Sequence, residues 1–148
     1  MFKHILLPTD GSALAMKGVK TGVRLAKALG ARVTGVYVVA PYIPPITPEA
    51  GMYVPGTDIG DYNKAAEMHA EKALAALKRA AEAAGVRCAT EVVTRAQPWE
   101  GILKAARRAK CDAIVIASHG RGGLKGLILG SQTSRVLAHS TLPVLVIR

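Results

Sequence analysis

The chain has 148 residues, half of them apolar, and a formal net charge of +10. This length and apolar content suit a single domain over residues 1–148 with a well-buried core. The two cysteines, Cys88 and Cys111, belong to no CxxC motif or Cys/His cluster, which argues against a disulfide framework or a zinc site. The absence of a disulfide pattern suits a reducing cytoplasm. No apolar run has the length of a secretory signal core or a membrane span, so we expect no membrane contact.

Short apolar runs alternate with segments of helical periodicity along the chain. Several of the runs are apolar on both faces, as are the strands of a parallel sheet that helices cover on each side. The predicted strands are Ile5–Leu7, Val33–Val39, Val86–Val93, Ala113–Ala117 and Val144–Ile147.

Four helices are predicted from apolar spacing and from their end signals. Ser12 is the expected N-cap of the first helix, and glycines at positions 30 and 85 are expected to end the first and the second. The predicted helices lie between Ser12 and Gly30, from Glu67 to Ala84, from Pro98 onward, and from about Ser131 to His139.

This order of elements predicts an open, doubly wound α/β fold. Its sheet has five parallel strands in the order 3-2-1-4-5, with helices on both faces. Ligands bind such sheets at the carboxyl ends of neighbouring central strands, where the strand order reverses. Here these are the first and fourth strands, which are followed by the unusual segments 8–12 and 118–123. The sequence therefore predicts a ligand site between these two ends.

One segment departs from the alternation of strands and helices. From Pro41 to about Asp61 the chain has five prolines and three glycines, so no regular structure is expected there. A connection of this length is either a lid or mobile insertion beside the site, or a disordered surface loop. The sequence leaves both alternatives open.

A glycine-rich segment precedes the fourth predicted helix. It has five glycines from Gly120 to Gly130, which free the backbone to turn its amide hydrogens toward an anion. The helix start at Ser131 adds unsatisfied donors and a positive partial charge, so phosphate suits the turn at 130–133. The alternative is a flexible connector followed by an ordinary serine cap. The chain has neither a GxGxxG motif after the first strand nor a GxxxxGK[ST] motif, which sets two common nucleotide sites aside.

The spacing of this segment resembles a family motif. Ala117-Ser118-His119-Gly120, nine further residues and Gly130-Ser131 are similar to G-x2-G-x9-G-[ST], the ATP-binding pattern of the universal stress proteins, with Ala117 at the first glycine. The opening run at 5–12 and the closing run at 143–147 also resemble that family. The resemblance thus covers the whole chain.

The resemblance implies ATP with Mg²⁺ as the ligand. It places phosphates on Gly120, Gly130 and Ser131, next to Ala117, and it gives Asp10 the ribose or a magnesium ion. Val38 would offer its main chain to the adenine edge. The remaining implied site residues are Pro8 and Thr9 in the wall, and His119, Arg121, Gly123, Gln132 and Thr133 in the loop and turn.

Asp10 and His119 each have another interpretation. Asp10 is also suited to cap the helix that follows it. His119, a single histidine in a basic, glycine-rich loop, is expected to be a neutral hydrogen-bonding residue and not a catalyst.

Three classes of function remain open. The favoured one is an ATP-binding stress or signalling module with an unknown signalling partner and little or no hydrolysis, because no water-activating base is evident and only Arg121 is placed to stabilise developing charge. An enzyme is disfavoured because the loop has neither paired carboxylates nor a nucleophile beside a base. A nucleotide-independent module that binds protein or nucleic acid through charge is the alternative. It would use basic side chains of the first and third helices, but no RNA-binding aromatic pattern accompanies them, so nucleic acid is disfavoured.

The last strand is expected to form the contact between the two chains of a homodimer. In the order 3-2-1-4-5 the residues 143–147 lie at a sheet edge, and an apolar edge left bare invites uncontrolled pairing. An isologous contact across a two-fold axis would cover this edge, and the family resemblance implies the same assembly.

Overall fold

The computed structural model describes residues 1–43, 59–120 and 129–148. Over these ranges strands and helices alternate, and every strand pairs in parallel in one sheet of order β3-β2-β1-β4-β5. The predicted fold class and strand order are confirmed. The elements are β1 (His4–Pro8), α1 (Ala13–Leu29), β2 (Arg32–Val39), α2 (Ile59–Ala83), β3 (Cys88–Thr94), α3 (Pro98–Arg108), β4 (Ala113–Ala117), α4 (Ser131–His139) and β5 (Val144–Ile147).

The sheet divides the apolar core into two layers. The side of β1 and β4 that carries Leu7 and Val115 packs against α1 and α2. The opposite side, which carries Leu6 and Ile114, packs against α3 and α4. Because side chains alternate along a strand, runs that are apolar at every position supply both layers at once.

The ends of α1 follow the capping signals in the sequence. The hydroxyl of Ser12 accepts a hydrogen bond from the amide of Ala15 at 3.2 Å, so Ser12 is the N-cap. Gly30 has a φ of 65°, the left-handed conformation that commonly ends a helix. No helix in the described ranges combines the length and the apolar character that a membrane span requires.

The boundaries of α2 and β3 differ from the prediction. The helix α2 begins at Ile59, eight residues before Glu67, and so overlaps the end of the segment expected to be irregular. Its first three turns are mostly exposed and therefore lack the apolar periodicity on which the prediction relied. Positions 44–58 of the predicted loop lie outside the described residues.

Strand β3 begins at Cys88 and not at the predicted Val86, because Val86 takes part in the end of α2. The amide of Val86 donates to the carbonyl of Ala81 at 2.9 Å, and Gly85 has a φ of 71°. Val86 therefore closes the helix, although its side chain is as apolar as those of the strand. On the strand itself, Glu91 forms an ion pair with Arg108 of α3.

His4 is a buried titratable residue at the amino end of β1. Its side chain is 7% exposed, and its Nε2 lies 2.8 Å from the hydroxyl of Thr34. Burial lowers the pKa of His4 below its ordinary value of 6.5, and the nearby charge of Arg32 lowers it further. The neutral imidazole is thus the form that the folded state accommodates.

We expect the free energy of unfolding to decrease as the pH falls below about 6.5, because the unfolded chain then binds a proton that folded His4 resists. Above that pH both states hold neutral histidine and this contribution is flat. Urea unfolding at several pH values would measure the slope. A His4→Gln variant should show a smaller loss on acidification between neutral pH and the carboxylate range, and an equal loss would contradict the assignment.

Candidate functional site

A cavity of about 500 Å³ opens at the carboxyl end of the sheet. It lies at the switch point, where β1 is flanked by β2 on one side and by β4 on the other. The ladder between β1 and β4 stops at Leu6↔Ile114, so the two strands are no longer paired where they reach the cavity. The predicted position of the ligand site therefore coincides with a cavity.

The cavity gathers every predicted site residue that the structure describes. Arg121 and Gly123 lie outside the described residues. The others all line the cavity, and they are Pro8, Thr9, Asp10, Val38, Ala117, His119, Gly120, Gly130, Ser131, Gln132 and Thr133.

Five further lining residues were not predicted. All five are apolar, and three of them, Val36, Ile102 and Ile116, give the cavity a hydrophobic wall on the α3 side of the sheet. Val36 shares its strand face with Val38, so the period of two along β2 was a signal that would have found it. The additional residues are Ala15, Val36, Pro98, Ile102 and Ile116.

The turn after β1 is held by its own side chains. The hydroxyl of Thr9 accepts from the amide of Gly11 at 3.1 Å, and Oδ1 of Asp10 accepts from the amide of Ser12 at 2.9 Å. Gly11 has a φ of 79°, which favours glycine. Asp10 therefore fixes the turn, while the N-cap of α1 is Ser12. The second oxygen of Asp10 faces Gly120, where an added Cβ would approach it to 2.6 Å.

The start of α4 is fastened to the end of β4. The amide of Gly130 donates to the carbonyl of Ser118 at 2.7 Å, and the hydroxyl of Thr133 donates to the carbonyl of Ala117 at 2.9 Å. Gly130 has a φ of −71°, so its conformation is open to any residue. A Cβ there would lie only 3.1 Å from the Ser118 oxygen. Close approach, and not left-handed backbone, is thus the reason for glycine at this position.

Three amide groups remain at the start of this helix. The first helical hydrogen bond runs from Ser134 to the carbonyl of Gly130 at 2.9 Å. The amides of Ser131, Gln132 and Thr133 precede that bond, and their residues line the cavity. Together with the positive end of the helix dipole, they form a surface that attracts anions.

Gln132 connects the two helices beside the cavity. Its Oε1 accepts from the amide of Trp99 in the first turn of α3 at 3.1 Å. The Trp99 ring is half-buried and packs edge-on against His139 with a centroid distance of 4.6 Å, in keeping with the packing role expected from its helix position. The starts of α3 and α4 are therefore held together at the cavity wall.

The side chains around His119 and Ala117 are also ordered by packing. Nδ1 of His119 lies 3.0 Å from the buried hydroxyl of Ser118, as expected for a hydrogen-bonding residue. The methyl group of Ala117 lies 3.6 Å from where a Cβ would stand on Gly18 of α1. It therefore points toward α1 and away from the start of α4.

The main chain of Val38 faces the crevice. The carbonyl of Val36 accepts from Thr9 on the β1 side, whereas that of Val39 accepts from Arg95 on the β3 side. Alternation along the strand directs the amide and carbonyl of Val38 toward β1. Because the register of β1 with β2 ends at Pro8↔Val36, these groups lie beyond the end of β1 and beside the cavity.

Neither cysteines nor metal clusters add chemistry within the described ranges. No group of three potential metal ligands occurs there. Cys111 is buried, and burial raises the pKa of its thiol to about 12. Cys88 is half-buried, and burial raises its pKa as well. Both are small hydrophobic residues, as the sequence indicated.

The fold and the cavity define an open α/β protein with a cavity at its switch point. The model of the universal stress protein family matches residues 1–148. The chain therefore belongs to the universal stress protein family. Universal stress protein MJ0531 of Methanocaldococcus jannaschii is 31% identical over all of this chain and 83% of its own length. A universal stress protein of Thermus aquaticus is 32% identical, with both chains covered completely.

Solved structures show the same fold. The protein MJ0577 of Methanocaldococcus jannaschii is 27% identical, with a TM-score of 0.80 over 99% of this chain and 96% of that one. UspA of Lactobacillus plantarum is 24% identical, with a TM-score of 0.79 over 99% and 97% of the two chains.

We expect Thr133→Val to lower the free energy of unfolding by about 1–3 kcal/mol, because it leaves the buried carbonyl of Ala117 without this donor. Thr133→Ser retains the hydroxyl and should lose less than Thr133→Val. Urea unfolding of the three proteins would compare them. Equal losses in the two variants would indicate that packing, and not the hydrogen bond, carries the effect.

Proposed function

We propose that this protein is an ATP-binding stress-response or signalling module that holds ATP with Mg²⁺ on the segment from Gly120 to Ser131. The observation that carries the proposal is the helix start of α4. Three amides at 131–133 line a cavity of about 500 Å³ whose opposite wall is apolar. A triphosphate suits the donors, and a purine suits the apolar wall.

The phosphates would lie against the amides of Ser131, Gln132 and Thr133. The amide of Gly130 is engaged by Ser118, so this glycine would contribute a close backbone approach and not a donor. Gly120 would lie on the opposite side, with its small size leaving room for the carboxylate of Asp10. Arg121 and Gly123 complete the proposed phosphate contacts.

The base would occupy the apolar part of the cavity. Val36, Ile102 and Ile116 supply hydrophobic contacts to a flat ring. The main-chain amide and carbonyl of Val38 supply one donor and one acceptor, the pattern that the adenine edge requires. Structures of relatives support an adenine nucleotide. One universal stress protein with a TM-score of 0.73 was solved with cAMP, and one from Archaeoglobus fulgidus with a TM-score of 0.65 was solved with dAMP.

Asp10 would serve the ribose or the magnesium ion. A carboxylate directly against a triphosphate is repelled, so a hydroxyl group or a bridging cation is the suitable partner. The residues present fit a magnesium ion only in company with the phosphates, because the described cavity wall offers no cluster of three acidic or histidine ligands. The ion would supply neutralisation of the phosphate charge.

Little or no hydrolysis is expected at this site. His119 lines the cavity, but its hydroxyl partner Ser118 is buried and does not. No pair of carboxylates lines the described part of the cavity. A binding module that responds to nucleotide, acting in the cytoplasm through a signalling partner, therefore suits these residues better than an enzyme.

Ser131→Asp should abolish the binding of ATP with Mg²⁺, because the new carboxylate would occupy the amide donors and repel phosphate. Aspartate is favourable in the first turn of a helix, so the melting temperature should stay equal or rise slightly. Calorimetric titration with thermal melts would read both effects.

Ser134→Asp is the matched control for this prediction. It adds the same charge to the same helix, but its amide is already bonded to Gly130. We expect it to bind ATP within a few-fold of the parent. If Ser131→Asp binds as tightly as the parent, the phosphate site is not at the start of α4.

We further propose a homodimer through the edge strand β5. Leu145 is 45% exposed on this strand, and β4 occupies only one of its two edges. Light scattering should give about twice the chain mass of 15.5 kDa. Leu145→Lys should yield monomers, whereas Val92→Lys on β3, the other edge strand, should leave the dimer intact. A parent protein that is monomeric at tens of micromolar would contradict the proposal.

A further inference from the structure

Charge is distributed unevenly over the helices. The α2 helix carries four carboxylates, at positions 61, 67, 71 and 82, whereas α1 carries none. The four basic residues of α1 are all exposed. At 100° per residue they fall within an arc of about 80°, opposite the buried face of the helix. We call them the α1 basic face, and they are Lys17, Lys20, Arg24 and Lys27.

The α1 basic face continues onto the amino end of the sheet. The helix runs back to that end, and Lys27 lies five residues before Arg32, the first residue of β2. Lys3 and Arg87 flank Arg32. The amide of Arg32 donates to the main-chain carbonyl of Lys3, and the amide of Val33 donates to the main-chain carbonyl of Arg87. Lys3, Arg32 and Arg87 are all exposed. The row of cations therefore extends across three neighbouring strands.

Few counter-charges accompany this row. Within the described ranges Lys20, Arg24 and Lys27 form no ion pair, and Lys17 donates to the main-chain oxygen of Arg148. Two carboxylates lie near the sheet end of the row: Asp112, which accepts from the amides of Lys3 and His4, and Glu82, whose charge acts on Cys88 next to Arg87. The cations of α1 are thus available to an external polyanion. Lys17 lies near the cavity end of α1, whose Ala15 lines the cavity, whereas Arg24 and Lys27 lie in the second half of the helix, toward the amino end of the sheet.

We propose that the α1 basic face binds the sugar-phosphate backbone of a nucleic-acid duplex. The α1 basic face spans about 15 Å along the helix from Lys17 to Lys27, a length over which a duplex presents roughly nine phosphates. The sequence disfavoured nucleic acid because it lacks an aromatic RNA-binding pattern. Contacts to duplex phosphates need no stacking side chains, and they are independent of base sequence.

Other polyanions suit the row less well. The apolar face of α1 is buried in the core, so the helix has nothing to insert into a membrane. None of the large hydrophobic side chains exposed in the described ranges lies on α1, so an acidic peptide would find charge but no apolar anchor.

Fluorescence anisotropy with a labelled duplex of about 20 base pairs would test the proposal between about 50 and 200 mM KCl. Replacing Lys20, Arg24 and Lys27 together by glutamine should weaken binding at least about tenfold and flatten the dependence of log K on log[KCl] by about 2–3. Far-UV circular dichroism and thermal melts would verify that the variant is folded.

The control removes the same net charge elsewhere, through Lys72→Gln, Lys104→Gln and Arg107→Gln on exposed positions of α2 and α3. It should retain most of the affinity of the parent. Equal weakening in both triple variants, or an unchanged salt dependence, would overturn the proposal. So would tighter binding to anionic lipid vesicles, or to polyglutamate of the same charge, than to the duplex.

Discussion

The attachment of α4 to the end of β4 is the constraint on which the site depends. Two hydrogen bonds, from Gly130 to Ser118 and from Thr133 to Ala117, bring a helix start against a strand end. These bonds engage the Gly130 amide and the Thr133 hydroxyl, while the amides of residues 131–133 precede the first helical hydrogen bond and belong to residues that line the cavity. A Cβ at position 130 would lie 3.1 Å from the Ser118 oxygen, so a side chain there would require the two elements to shift slightly apart.

Much of the architecture was predictable because its signals are local. Runs apolar on both faces indicated covered parallel strands, and Ser12, Gly30 and Pro98 stand at helix ends where their backbone preferences place them. Right-handed crossovers and the doubly wound pattern placed the first strand near the centre, and the expected order 3-2-1-4-5 is the one observed. The exposed start of α2 was missed because solvated turns have no apolar period, and Val86 was assigned to a strand although it closes a helix.

The sequence predicted the site residues that follow the ends of two strands, but it did not predict the apolar residues of the cavity wall. Residues at 8–10 and 117–120 stand out along the chain, because unusual residues follow two strands that the topology makes neighbours. The contributions of Ile102 and of Gln132 are contacts between elements distant in sequence, and no local pattern encodes them. The family motif located Gly130, but only the packing distances reveal that its amide is engaged.

The ion pair between Glu91 and Arg108 has a consequence for assembly. Glu91 lies on β3, at the far edge of the sheet from β5, and its carboxylate is largely covered. Another strand approaching this edge would have to accommodate a charge pair beside its backbone, which is costly. The two edges of the sheet are therefore chemically unequal. A protein with two exposed sheet edges can add sheet onto sheet in an open-ended filament, and the ion pair makes such pairing unfavourable on the β3 side.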